Sequence, residues 1–124
     1  MGDISENFDR SEFACKCGCG KDNVSDHLIS LLQLVRTNLG ESMVVTSGTR
    51  CPSWNTKMGG SAGSSHVPDS FGLSYAVDIK CDNSIFRHKL LEAAFPVFDR
   101  IGIAKNFIHF DVDEEKTAGV VWLY

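Results

Sequence analysis

The sequence predicts an α+β fold, an antiparallel β-sheet with helices packed on one face. Three observations carry this. Apolar residues recur at helical spacing after Ser25 and again after Ser84. "LSYAVDIKC" and "NFIHFDV" alternate as strands do. No repeat or composition break divides the 124 residues, so residues 1–124 are read as a single domain around one core.

In chain order, Phe8 and Phe13 frame an N-terminal segment expected to pack onto the core by its aromatic rings. "VSDHLISLLQLVRTNLG" is the clearest helix. Ser25 is a good N-cap, Asp26 suits the positive helix end and Gly40 a good stop. Leu28, Leu31, Leu32, Val35 and Leu39 share one face, and His27 lies off it. A short strand is expected from Met43 to Ser47. The Gly/Ser-rich stretch from Thr49 to Ser70 has no periodicity and reads as one long loop, a length that in a compact domain points to function or disorder.

In "LSYAVDIKC", Tyr75, Val77, Ile79 and Cys81 take one side, and Ala76, Asp78 and Lys80 the other. "SIFRHKLLEAAF" is a second amphipathic helix, capped by Ser84, with Ile85, Leu90, Leu91, Ala94 and Phe95 as its contacts and Pro96 at its end. His88 falls on its polar side. "NFIHFDV" and "GVVWLY" are two more strands joined by a polar turn.

The balance of charge excludes some partners. Net charge is −4 and no run of Lys or Arg occurs, so neither nucleic acid nor an anionic membrane surface is expected as partner. No apolar stretch approaches the ~20 residues of a membrane span, so no membrane insertion is expected. The acidic, polar N-terminus does not read as a secretory signal. The expectation is synthesis in the cytoplasm, as a monomer, with export, if any, by other means.

Cysteines number five: Cys15, Cys17, Cys19, Cys51 and Cys81. The odd count argues against a closed disulfide framework. "CKCGCG" has one-residue gaps where zinc knuckles have two. Reduced or partly paired thiols holding the N-terminal loop are the expected state. A structural ion at Cys15, Cys17 or Cys19 with Cys51 is the alternative.

Two strands place a polar group where burial would favour an apolar one. Asp78 interrupts the first alternation; His109 and Asp111 share a side of the second. Buried polar groups are costly unless paired or bound to a metal. Were these strands neighbours, Asp78 and His109 would meet, and the long loop could bring His66 over them. Two histidines and a carboxylate form a catalytic zinc ligand set with a fourth position left open. The plainer alternatives are a hydrogen-bonded core histidine and an Asp78 paired with Lys80 or an arginine.

The words "SGTRCPSWN", "GGSAGSSH", "AVDI" and "FIHFDV", in this order, resemble peptidase family M15, zinc D,D-carboxypeptidases and L-alanyl-D-glutamate endopeptidases that include many bacteriophage endolysins. The opening "FDRSEFACKCGCG" is similar to that of the family's short members, so the resemblance spans nearly the whole chain. It implies a hedgehog/D,D-peptidase-like fold, a Zn2+ cofactor held by His66, Asp78 and His109, and peptidoglycan stem peptides in the cell wall as substrate. It implies that Arg50 holds a substrate carboxylate or the developing oxyanion. Ser64 or Ser65 would help orient substrate.

Two departures accompany the resemblance. The family pattern His-x-x-Gly-x-Ala-x-Asp is lengthened by about five residues at "VPDSFGLSY", an insertion a loop absorbs at small entropic cost. Ser74 stands at the pattern's glycine, and Asp69 becomes a competing carboxylate. No Glu or His directly precedes His109 as general base. Asp111 is the nearest candidate, either as that base or as a hydrogen-bond acceptor for His109 or Arg50. The rival reading is a non-catalytic zinc-binding module similar to the signalling domain of hedgehog proteins.

Overall fold

Alternation along the strands sorts the sheet into an apolar face and a polar one. The computed structural model describes residues 2–124. A 3-10 turn at Arg10–Phe13 precedes α1 (Asp26–Leu39), β1 (Val45–Ser47), α2 (Pro52–Lys57), β2 (Ala76–Lys80), α3 (Ser84–Ala94), β3 (Arg100–Ile103), β4 (Phe107–Asp111) and β5 (Val120–Leu123). The five strands form one sheet in the order β1-β2-β4-β3-β5. Pairing is antiparallel except between β3 and β5, which run parallel. The α+β class holds, and this one junction departs from an all-antiparallel sheet. Both edges of β4 are taken by β2 and β3, so the segment after β4 crosses to the outer edge of β3.

Val77, Ile79, Ile101, Ile108 and Phe110 meet Leu28, Leu32, Val35, Leu90 and Ala94 in one buried core. Each such side chain stabilises the fold by roughly 1.5–3 kcal/mol on burial. Phe8 and Phe13 join this core, edge to face with ring centres 5.8 Å apart. α1 begins as expected: the Ser25 hydroxyl accepts from the Leu28 amide, and Gly40 closes the helix in the left-handed region at φ 71°.

Other boundaries differ from the sequence reading. Asn83, not Ser84, caps α3, its side chain accepting from the Phe86 amide at 2.8 Å. Ile85 and Phe95 are 74% and 53% exposed, so Leu90, Ala93 and Ala94 form the buried face of α3. The first strand is shorter than expected, starting at Val45. The long loop contains α2, with Pro52 at its first turn, where a missing N–H costs nothing. No helix among the described residues is long and apolar enough to cross a membrane.

One close approach ties the N-terminal segment to the sheet. The Thr49 amide donates to the Phe13 carbonyl at 2.9 Å, and a Cβ on Gly48 would lie 2.6 Å from the Phe13 Cα and 2.7 Å from its carbonyl oxygen. Those are backbone atoms and cannot swing aside. Gly48→Ala is therefore expected to cost roughly 1–3 kcal/mol, read as a lower midpoint in chemical denaturation. Gly63→Ala, which meets open space, should leave the midpoint unchanged.

Candidate metal centre

The polar face of the sheet carries the site. Asp78 on β2 and His109 on β4 are direct cross-strand partners, and Ser47 on β1 is registered to Asp78 on its other side. His66 comes from the loop. Its segment is pinned between two extended stretches: the Arg50 amide donates to the His66 carbonyl at 2.8 Å, and the Tyr75 amide to the Ser65 carbonyl at 2.9 Å. The ligating atoms of His66, Asp78 and His109 lie within 4.8 Å of one another, and all three residues are buried.

The hydrogen bonds around this trio fix where each ring keeps its proton. His66 Nδ1 sits 2.7 Å from the Gly48 carbonyl oxygen, which can only accept, so Nδ1 carries hydrogen. His109 Nε2 sits 2.7 Å from Asp111 Oδ2 and donates to it. The remaining nitrogens, His66 Nε2 and His109 Nδ1, lie 3.2 and 2.9 Å from the same oxygen, Asp78 Oδ1. In the neutral rings both present lone pairs, so three electron-rich atoms face one another. A cation or added protons must balance them. Nitrogen, nitrogen and carboxylate oxygen in this convergence match the donor set of a zinc site with one position open, and the outer acceptors are those that orient metal-bound imidazoles.

The electrostatics agree. With protons in place of an ion, burial would raise the pKa of Asp78, but hydrogen bonds then donated by His109 and His66 outweigh it and hold the carboxylate well below its usual range. Burial disfavours a charged His109, yet its hydrogen bonds to Asp111 and Asp78 keep its pKa above the ordinary value. Asp111 also stays below its usual value against burial, because His109 and Arg100 donate to it.

Asp111 occupies the outer side of the His109 ring. Its Oδ2 takes the His109 bond, and its Oδ1 takes Arg100 Nε at 2.6 Å and the Asp113 amide at 3.2 Å. Of the two donors the sequence suggested for it, His109 is in place, and the arginine is Arg100 rather than Arg50. Asp69 stands apart from the trio, accepting from the Tyr75 hydroxyl and from the Phe71 and Leu73 amides. Those bonds close the inserted residues into a compact turn. Ser74 is fully buried, its hydroxyl 2.8 Å from that of Thr49.

The trio lies in the wall of a cleft of about 500 Å³. Arg50 lines it, with Nε donating to Ser47 Oγ at 2.9 Å, Nη1 to Asn55 Oδ1 at 3.2 Å, and Nη2 3.5 Å from Asp78 Oδ2. Ser65 also lines it, but its hydroxyl donates to Asp113 Oδ2 at 2.8 Å and accepts from Lys116 at 2.9 Å. Trp122 and Tyr124 form an aromatic side wall, with Trp122 5.4 Å from the His109 ring. Trp122 packs closely on Gly102, where a Cβ would come within 2.6 Å of its ring. Tyr75 borders an adjacent cleft instead.

Sequence reasoning missed Arg100, Asn55 and Lys116. Arg100 was legible in principle: in "RIGI" it alternates with two isoleucines and shares a face with Gly102, the cross-strand partner of His109. Its guanidinium also lies over the Trp122 ring at 4.9 Å. Asn55, in α2, reaches the site only by holding Arg50, and Lys116 lines the cleft through a long-range contact with Ser65; no local pattern announces either.

Residues 6–111 match the family model described as Peptidase M15. The chain belongs to the peptidase M15 family. No curated protein gives a significant match. Membership makes peptide-bond hydrolysis the reaction class, and the trio falls inside the matched span. Because Asp111 orients His109 through its outer nitrogen, Asp111→Asn is expected to weaken zinc affinity about 10–100-fold, measured by competition with a chromophoric chelator. An unchanged affinity would detach Asp111 from the centre.

Proposed function

We propose that this M15 chain is a zinc-dependent peptidoglycan peptidase that hydrolyses a peptide bond of the murein stem peptide or cross-link. Either D-Ala-D-Ala carboxypeptidase or endopeptidase action fits, including that of a phage lysis enzyme acting on the cell wall. The observation that carries the reading is the convergence of His66 Nε2, Asp78 Oδ1 and His109 Nδ1 on one point in a cleft wall. A zinc ion held there would supply Lewis acidity, polarising a carbonyl and making water nucleophilic at neutral pH.

The chain's own residues then divide the remaining work. The Gly48 carbonyl and Asp111 hold the two imidazoles in their working tautomers. Arg50, steadied by Ser47 and Asn55, offers a guanidinium to a substrate carboxylate or to negative charge that develops on the attacked carbonyl. Arg100 and Lys116 add positive charge along the same cleft, suiting a peptide rich in free carboxylates. Trp122 and Tyr124 give the substrate an apolar wall. Asp111 serves as an orienting group in this scheme. Both its oxygens are engaged, and the imidazole ring of His109 stands between it and the convergence point.

A second reading has its own support. Among the described residues, the carboxylates lining the cleft are Asp78 and Asp111, and both are paired. A non-catalytic zinc-binding module of hedgehog-like fold, binding a cell-wall or protein ligand, would need no free base.

Purified zinc-loaded protein incubated with isolated peptidoglycan separates the two. The peptidase reading expects new amino termini and stem-peptide fragments whose masses identify the bond cut. Intact peptidoglycan after prolonged incubation would leave the binding module. In an active enzyme, Arg50→Ala should lower kcat/KM by about 10²–10³-fold with zinc content unchanged.

A further inference from the structure

The cysteines are untouched by this chemistry, and their placement is not random. Cys81 is buried alone in the main core. The other four come together: Sγ atoms of Cys15, Cys17, Cys19 and Cys51 all lie within 4.8 Å of one another. The odd count that argued against a disulfide framework resolves into a group of four and a core residue.

We propose that Cys15, Cys17, Cys19 and Cys51 bind a second metal ion, structural and thiolate-ligated, with zinc the best fit. Zinc–sulfur bonds of about 2.3 Å in a tetrahedron put the sulfurs roughly 3.8 Å apart. Cys17 Sγ lies 3.4 Å from Cys15 Sγ and 3.7 Å from Cys51 Sγ. The Cys51 amide points at Cys15 Sγ at 3.4 Å, a contact that stabilises a thiolate.

Backbone curvature reconciles the one-residue gaps of "CKCGCG" with a zinc site. Gly18 and Gly20 both adopt φ of 87°, a region that side chains rarely enter. The Gly18 amide donates to the Cys15 carbonyl at 3.2 Å, and the Cys15 amide to the Lys21 carbonyl at 2.7 Å. The loop therefore closes on itself and turns three alternate cysteines toward one point, Cys15 buried and Cys17 and Cys19 at the surface. Four thiolates around a divalent ion leave a net charge near −2, and Lys16 and Lys21 flank the cysteines in sequence. Binding releases the four thiol protons to solvent.

Four protein sulfurs close the coordination sphere, so this ion would have no position for substrate. Its effect would be mechanical. Cys51 directly follows Arg50, and the same segment carries Gly48 and Thr49 against Phe13. The ion would fasten the N-terminal loop to the stretch that presents Arg50 to the cleft.

Metal analysis of the full chain, purified under reducing conditions without chelator, tests this. About two zinc equivalents are expected, falling to about one in Cys17→Ser/Cys19→Ser and to about one in His66→Ala/His109→Ala. Cobalt-loaded wild type guards against variants that fail to fold. It should show a thiolate-to-cobalt charge-transfer band, kept in the histidine variant and lost in the cysteine variant. Wild-type protein whose cobalt form lacks that band, or whose intact mass shows these cysteines joined as disulfides, would overturn the proposal.

Discussion

Each of two buried imidazoles commits its ring proton to an outer acceptor, and both then turn a lone pair toward one carboxylate oxygen. Unbalanced, that arrangement is costly in a low-dielectric interior. Much of the surrounding structure serves to hold it. Cross-strand register sets Asp78 beside His109. The tight passage of Gly48 against Phe13 fixes the carbonyl that faces His66. Arg100, half-buried beside Asp111 and lying over Trp122, keeps that carboxylate charged and aimed at His109.

The same constraint accounts for what was legible in the sequence. Strand alternation is a local signal, so Asp78 and His109 stood out as polar residues on a face that should pack, and their meeting followed once β2 and β4 paired. The α1 stripe and its caps were equally local. β3 was not legible, because four residues after a proline-ended helix give too short an alternation. α2 hid in a glycine- and serine-rich stretch where only its first-turn proline marked it. Asn83 outcompeted Ser84 as cap because the helix starts one residue earlier than the apolar pattern suggested.

Long-range encounters were the least legible part. The sequence offered Cys51 with the Cys15–Cys19 loop only as the lesser alternative, because α1 and β1 separate them and the folded chain is what brings their sulfurs together. The pairing of Asp111 with Arg100 depends on β3 lying beside β4. The inserted residues before β2, by contrast, did what loop entropy permits. They close on Asp69 and leave the strand that carries Asp78 in register.

The central claim is that a divalent ion belongs between His66, Asp78 and His109. Anomalous diffraction from crystals of the purified protein, collected on either side of the zinc absorption edge, tests it most directly. The account predicts an edge-dependent peak about 2.0–2.2 Å from His66 Nε2, His109 Nδ1 and a carboxylate oxygen of Asp78. Crystals grown with zinc that show no peak there, with the imidazoles hydrogen-bonded directly to Asp78, would contradict it.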